Sequence, residues 1–231
     1  MAECAVSILN VEKENAAHTF YDLETAKVDY FHIDVMDGKF VEKDTYELMQ
    51  DYATTLSHIT RTNLDVHLMV ENIEEAIYDF TLIEPGSITF HIEASKTKER
   101  TMNIINDLKE YGIKVGIALN PATPIEEVLE YLPFVHKVLV MTVVPGLGGQ
   151  KLIPETLEKI KALREYIDEN ELDVLIEADG GINGDTCSKV RDAGCDILVS
   201  GVFIVKSDDY DKNVKIIKGE EEEWKKLLFQ L

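Results

Sequence analysis

The chain has 231 residues, 45% of them hydrophobic and 29% charged, with 13 Gly and 6 Pro, which fits one folded domain over 1–231 and excludes a disordered or fibrous chain. Its 23 Lys and Arg against 44 Asp and Glu give a formal charge of −21, so the surface repels phosphate backbones and anionic lipid, and neither nucleic acid nor a membrane is expected as a partner. Cys4, Cys187 and Cys195 show no C-x-x-C spacing, and the chain has neither a basic, apolar leader nor a long apolar run; a reducing cytoplasm is the expected compartment.

Eight short runs rich in Val, Ile, Leu and Phe read as strands. CAVSIL (4–9), YFHIDV (30–35) and NLDVHLM (63–69) come first. Segment 72–86 then opens on Asn72 as a helix N-cap and stops at Pro85–Gly86. After SITFHIE (87–93), the stretch 98–112 has a helical pattern closed by Gly112. KVGIALN (114–120) and KVLVMTV (137–143) follow, and the helix predicted over 155–170 starts behind Pro154 with Leu157, Ile160, Leu163 and Ile167 on one face. DVLIEAD (173–179) and DILVSG (196–201) complete the set, and the acidic run Glu220 to Glu223 reads as a solvated helix start. The spacing leaves room for a helix after each strand. Eight such units without a linker predict an α/β fold, a (β/α)8 TIM barrel. An open doubly wound sheet is the alternative, weakened by the lack of G-x-G-x-x-G after the first strand.

Residues two apart in a strand share a face. His32, Asp34 and Met36 therefore project together, as do Asp65, His67 and Met69, and Glu177 with Asp179. Barrel enzymes draw catalytic groups from the C-terminal ends of their strands, where His32, Asp34, His67 and Asp179 fall. Any one of these is more often a hydrogen-bonded core residue than a ligand, but four on matching parity suit one divalent ion, Zn, Fe, Mn or Co. Asp37 has the opposite parity and precedes Gly38, so it reads as a turn carboxylate. Asp65 and Glu177 lie deeper, and either orient the histidines or hydrogen-bond below the site. His91 and Glu93 lie near the site without an assigned role.

VVPGLGGQ (143–150) carries Gly146, Leu147, Gly148 and Gly149, whose backbone N–H groups suit close approach to an anion. Gly180 and Gly181, and Gly201 with Val202, occupy corresponding positions after the seventh and eighth strands, where barrel enzymes often bind phosphate. One such loop is only a turn; three together point to a phosphorylated substrate.

HIDVMDGKFV, LDVHLMVEN, ITFHIEA, GIALNPATP, MTVVPGLGGQ, EADGGIN and VSGVFIVKS, in this order, resemble the ribulose-phosphate 3-epimerase family from about Ser7 to about Ser207. The resemblance implies a TIM barrel that interconverts ribulose 5-phosphate and xylulose 5-phosphate by moving a proton at C3, with one divalent metal per subunit. It implies metal ligands His32, Asp34, His67 and Asp179, and Asp34 and Asp179 as the acid/base pair on opposite faces of C3. His67 and Ser7 would contact the substrate, and Met36, Met69 and Met141 would cap the intermediate. A homo-oligomer, dimer or hexamer, is also implied.

The chain departs from the family pattern at FVEKDTYELM (40–49), where Pro-Asn is usual, and at Val202, where a serine is usual. It also reads SILN at 7–10 and has Leu147 where Phe is common. A 3-epimerase for a hexulose phosphate such as allulose 6-phosphate therefore competes, as does a non-catalytic sugar-phosphate-binding barrel. A decarboxylase or aldolase would want a lysine near the carboxylates or at a strand end, and Lys151 and Lys206 lie in loops.

Overall fold

The eight apolar runs become eight parallel strands that close on themselves in chain order: β1 (Glu3–Ser7), β2 (Tyr30–Met36), β3 (Asn63–Met69), β4 (Ser87–His91), β5 (Lys114–Leu119), β6 (Lys137–Met141), β7 (Leu175–Asp179) and β8 (Ile197–Ser200). This architecture is seen in a computed structural model that describes residues 1–220. Glu221 to Glu223 of the acidic run lie outside the described residues. Between the strands run α1 (Ala16–Thr25), α2 (Tyr46–Ile59), α3 (Ile73–Thr81), α4 (Ile92–Ser95), α5 (Lys98–Glu110), α6 (Glu126–Leu129), α7 (Thr156–Glu169), α8 (Cys187–Asp192) and α9 (Val202–Val205), and α10 (Tyr210–Lys218) closes the ring. The fold is a (β/α)8 TIM barrel, not a doubly wound sheet.

Local sequence explains the helix ends. The Asn72 side chain accepts the Glu75 N–H at the start of α3, and Gly112 adopts φ +74° just past α5, a left-handed conformation that glycine takes at little cost. Apolar residues on α3 (Ile73, Ala76, Ile77 and Phe80) are buried against the outer face of the sheet, each large side chain contributing about 1.5–3 kcal/mol. On α7 the fully buried face is Thr156, Ile160, Leu163 and Ile167, while Leu157 is only partly buried against that core.

The barrel interior is the unusual part. Outward strand residues such as Phe31, Ile33, Val66, Ile88 and Phe90 join the large apolar core with the helices, but the inward positions include His32, Asp65, His67, Thr89, His91, Lys137 and Glu177, all 2% exposed or less. Gly116 permits one close approach, since a Cβ there would meet Thr89 Oγ1 at 2.1 Å. β4 is shorter than the run 87–93 suggests: it ends at His91 and turns at once into α4, which takes Glu93 off the strand face. Among the described residues no helix is long and apolar enough to cross a membrane.

Candidate metal and active site

Asp34 stands beside His67 in the β2–β3 register, Met36 beside Met69, and Met141 beside Asp179 in the β6–β7 register. Barrel closure does the rest, because β2 and β7 are three steps apart through β1 and β8. One ligand-type atom from each of His32, Asp34, His67 and Asp179 lies within 4.8 Å of the others. His32 Nε2 is 3.4 Å from Asp34 Oδ1 and 3.8 Å from Asp179 Oδ2. His67 Nδ1 is 3.4 Å and 3.6 Å from the same two carboxylates. Both nitrogens are buried and, among the described residues, have no hydrogen-bond partner. A buried polar atom without a partner is costly, and two of them converging on two carboxylates make a donor set that fits a divalent cation.

Hydrogen bonding fixes which nitrogen of each ring points inward. His32 Nδ1 lies 2.8 Å from Asp65 Oδ2, and because a carboxylate only accepts, Nδ1 carries a proton and, in the neutral ring, Nε2 has the lone pair. His91 Nδ1 is 3.1 Å from Glu93 Oε2, and His91 Nε2 is 2.9 Å from His67 Nε2. His91 therefore donates its Nδ1 proton to Glu93 and accepts at Nε2 from His67 Nε2, so that in the neutral His67 ring Nδ1 has the lone pair. Glu93 also accepts the Asn120 N–H at 2.8 Å and the Thr123 hydroxyl. These contacts give His91 and Glu93 the role that the strand pattern leaves open, and they favour the histidine-orienting reading of Asp65. What hides Glu93 in the sequence is the immediate turn from β4 into α4.

Charge follows geometry. Burial works to lower the His32 pKa, but Asp34 and Asp65 outweigh it and hold it well above the usual value; His67 is likewise raised by Asp179 and Asp34 against burial. Burial would raise Asp34, yet the two histidines hold it well below the usual carboxylate range. Such a pocket attracts positive charge, whether protons or a metal. Deeper still, Lys137 Nζ lies 2.5 Å from both Asp65 Oδ1 and Glu177 Oε2. Strand parity could have found this lysine, inward at the start of β6; it lies beneath the histidines and does not line the cavity above them.

That cavity, about 410 Å³, has the size of a small-molecule site. Asp34, Asp179 and Ser7 form its floor, with Met36, Met69 and Met141 around them, and its far wall is Gly146, Leu147, Gly148, Gly149, Gly180, Gly181, Gly201 and Val202. His32 and His67 are fully buried behind this lining. Ser7 donates its hydroxyl to Asp34 Oδ2 at 2.6 Å. Gly181 has φ +66°, and a Cβ on it would meet Leu152 N at 2.3 Å, so no other residue fits without movement. Asp37 is the turn carboxylate expected of it, accepting N–H groups of Lys39, Phe40 and Glu71. No residue of the 40–49 segment lines this cavity; Val41 stands behind Gly146 of its wall, and the Phe40 ring packs 4.9 Å from that of His91.

Residues 3–205 match the Ribulose-phosphate 3 epimerase family. Ribulose-phosphate 3-epimerase of Methanocaldococcus jannaschii is 40% identical over 218 residues, 94% of this chain and 90% of that protein. The Bacillus subtilis protein of the same name is 37% identical over 220 residues, 95% and 99% of the two chains. Among solved structures, 3-hexulose-6-phosphate synthase from Salmonella typhimurium superposes with a TM-score of 0.67 at 16% identity, covering 94% of this chain and 97% of that one; at that identity the likeness concerns the barrel alone.

Proposed function

The chain belongs to the ribulose-phosphate 3-epimerase family, and we propose that it interconverts ribulose 5-phosphate and xylulose 5-phosphate by two-base proton transfer at C3. The observation that carries this reading is the pair of carboxylates, Asp34 and Asp179, entering one cavity from strands three steps apart, with two unpartnered histidine nitrogens between them. His32, Asp34, His67 and Asp179 would hold one divalent ion. When bound, such an ion supplies a fixed positive charge that stabilises negative charge developing on the substrate's oxygens.

The protein's own residues do the proton work. One Asp takes the C3 proton as a general base, the C3–H bond electrons passing into an enediolate; the other, protonated, delivers a proton to the opposite face of C3. One turnover leaves the two with exchanged protonation states, which is the starting state for the reverse reaction; for a second forward turnover the newly protonated Asp gives its proton to water and the other takes one up, so protons balance. Ser7, donating to Asp34 Oδ2, holds that carboxylate in register and stands where it can contact the reacting end of the sugar. Met36, Met69 and Met141, each 2% exposed or less, keep water from the enediolate while offering polarizable sulfur. The glycine wall, Gly146 to Gly149 with Gly180, Gly181, Gly201 and Val202, would receive the phosphate through backbone N–H groups. Assembly as a homo-oligomer, dimer or hexamer, in the cytoplasm is part of the same proposal, read by light scattering and fractionation.

The deciding experiment incubates metal-loaded protein with ribulose 5-phosphate, and separately with allulose 6-phosphate, in D₂O, following deuterium at C3 and the epimer formed. Exchange and conversion of the pentulose are expected. Turnover of the hexulose alone would reassign the substrate, and no exchange with either would refute the epimerase reading.

A further inference from the structure

We propose that Lys137 is a positioning residue for the metal centre: its buried ammonium bridges Asp65 and Glu177 and so anchors the carboxylate that turns His32 Nε2 toward Asp34 and Asp179. It is the one buried lysine among the described residues, 2% exposed. Nothing in the reaction uses it, and it does not line the substrate cavity.

The contacts divide the Asp65 carboxylate into two working edges. Oδ1 takes the Lys137 ammonium at 2.5 Å and the Ser87 hydroxyl at 2.7 Å. Oδ2 is thereby left for His32 Nδ1 at 2.8 Å. On its other side the ammonium meets Glu177 Oε2 at 2.5 Å, while Glu177 Oε1 stands 3.7 Å from the same His32 nitrogen. The imidazole edge that carries the proton thus sits against two carboxylates tied together by one cation. Each of them is 1% exposed or less at its side chain, where like charges repel strongly and water cannot screen them. Without the cation the two would move apart or rotate, and the ring that Asp65 holds would lose its orientation. Partners that orient metal-binding histidines typically alter metal affinity 10–100-fold when removed.

A barrel floor needs only filling and charge balance, and a purely structural lysine would meet that need without touching the metal. The two possibilities differ in what they do to metal affinity in a folded protein. Zn²⁺ and Co²⁺ dissociation constants are therefore measured by competition with a chromophoric chelator for wild type, Lys137→Met, Lys137→Gln, Asp65→Asn and the Lys137→Met/Asp65→Asn double variant, with circular dichroism reporting the fold. Lys137→Met is expected to weaken both metals about 10–100-fold. In the Asp65→Asn background the same change is expected to add less than about threefold, because its effect passes through that carboxylate. If Lys137→Met does not fold, Lys137→Gln carries the comparison, with at least tenfold weakening expected.

A wild-type dissociation constant in whichever variant folds, or an equal loss with and without Asp65, overturns the proposal, as does failure of both Lys137 variants to fold, which would make the lysine a requirement of the core alone. The inference rests on the proposed metal site, yet no substrate is needed. Wild-type protein that binds neither ion would refute that site, whereas tight wild-type binding unchanged by Lys137→Met would remove only the lysine's positioning role.

Discussion

Substituting Glu93 by Gln changes one oxygen into an amide nitrogen at the end of a relay that reaches the proposed metal site. The carboxylate accepts from His91 Nδ1, the Asn120 N–H and the Thr123 hydroxyl. Burial would raise its pKa, but these partners pull it from the ordinary 4.5 down to about 2. At about 1.4 kcal/mol per tenfold change in proton affinity, the ionised group contributes about 3 kcal/mol to the fold at neutral pH. Part of that pull requires a charged His91, whose own pKa is lowered by burial, so about 2–3 kcal/mol is the expected loss. For a chain of this length that lowers Tm by roughly 4–12 °C. The sign is specific: a depressed carboxylate stabilises above pH 4.5 and loses its contribution as pH falls through about 2. The gap in Tm between wild type and Glu93→Gln should therefore be full at pH 7 and shrink steadily below pH 4.5. A second readout follows from the tautomers. A Gln amide turned toward His91 donates instead of accepting, which moves the His91 proton to Nε2, opposes the His67 Nε2 proton and costs the bare Nδ1; metal affinity should drop at least tenfold. A Tm gap independent of pH, or unchanged metal affinity, would refute the relay.

Asp179→Asn should abolish net epimerisation, with a loss of about 10²–10⁴ from the missing acid/base alone, while the barrel melts cooperatively as before; retained conversion, followed by NMR of the sugar, would exclude the two-base scheme. Metal uptake should weaken as pH falls, because the raised His32 and His67 pKa values let protons compete for the same nitrogens. In the metal-free protein the protonated rings stabilise the fold below about pH 6.5, and this support is lost as pH rises through their raised values; calorimetry in two buffers should show proton release on binding. Gly181→Ala, forced into φ +66° against the Leu152 backbone, should destabilise the chain by about 1–3 kcal/mol and raise KM. Val202→Ser places a hydroxyl on the glycine wall of the cavity and should lower KM for the phosphorylated sugar several-fold with little change in kcat.

Strand parity is a local property, and for that reason the sequence by itself determined the barrel class, the inward column His32–Asp34–Met36, its counterparts on β3 and β7, and the exclusion of Asp37. The three glycine loops were legible on the same grounds, since their positions after successive strands follow from chain order. Parity says which face a residue takes, not what stands opposite it. That His32 leans on Asp65 from the neighbouring strand, that Lys137 reaches Asp65 from three strands away around the ring, and that β4 breaks at His91 to deliver Glu93 to the Asn120 loop were decided only when the sheet closed. Side chains from strands distant in sequence share one interior only because the sheet curves into a barrel, and there the absence of water makes each charge depend on a partner that the chain does not place beside it in sequence.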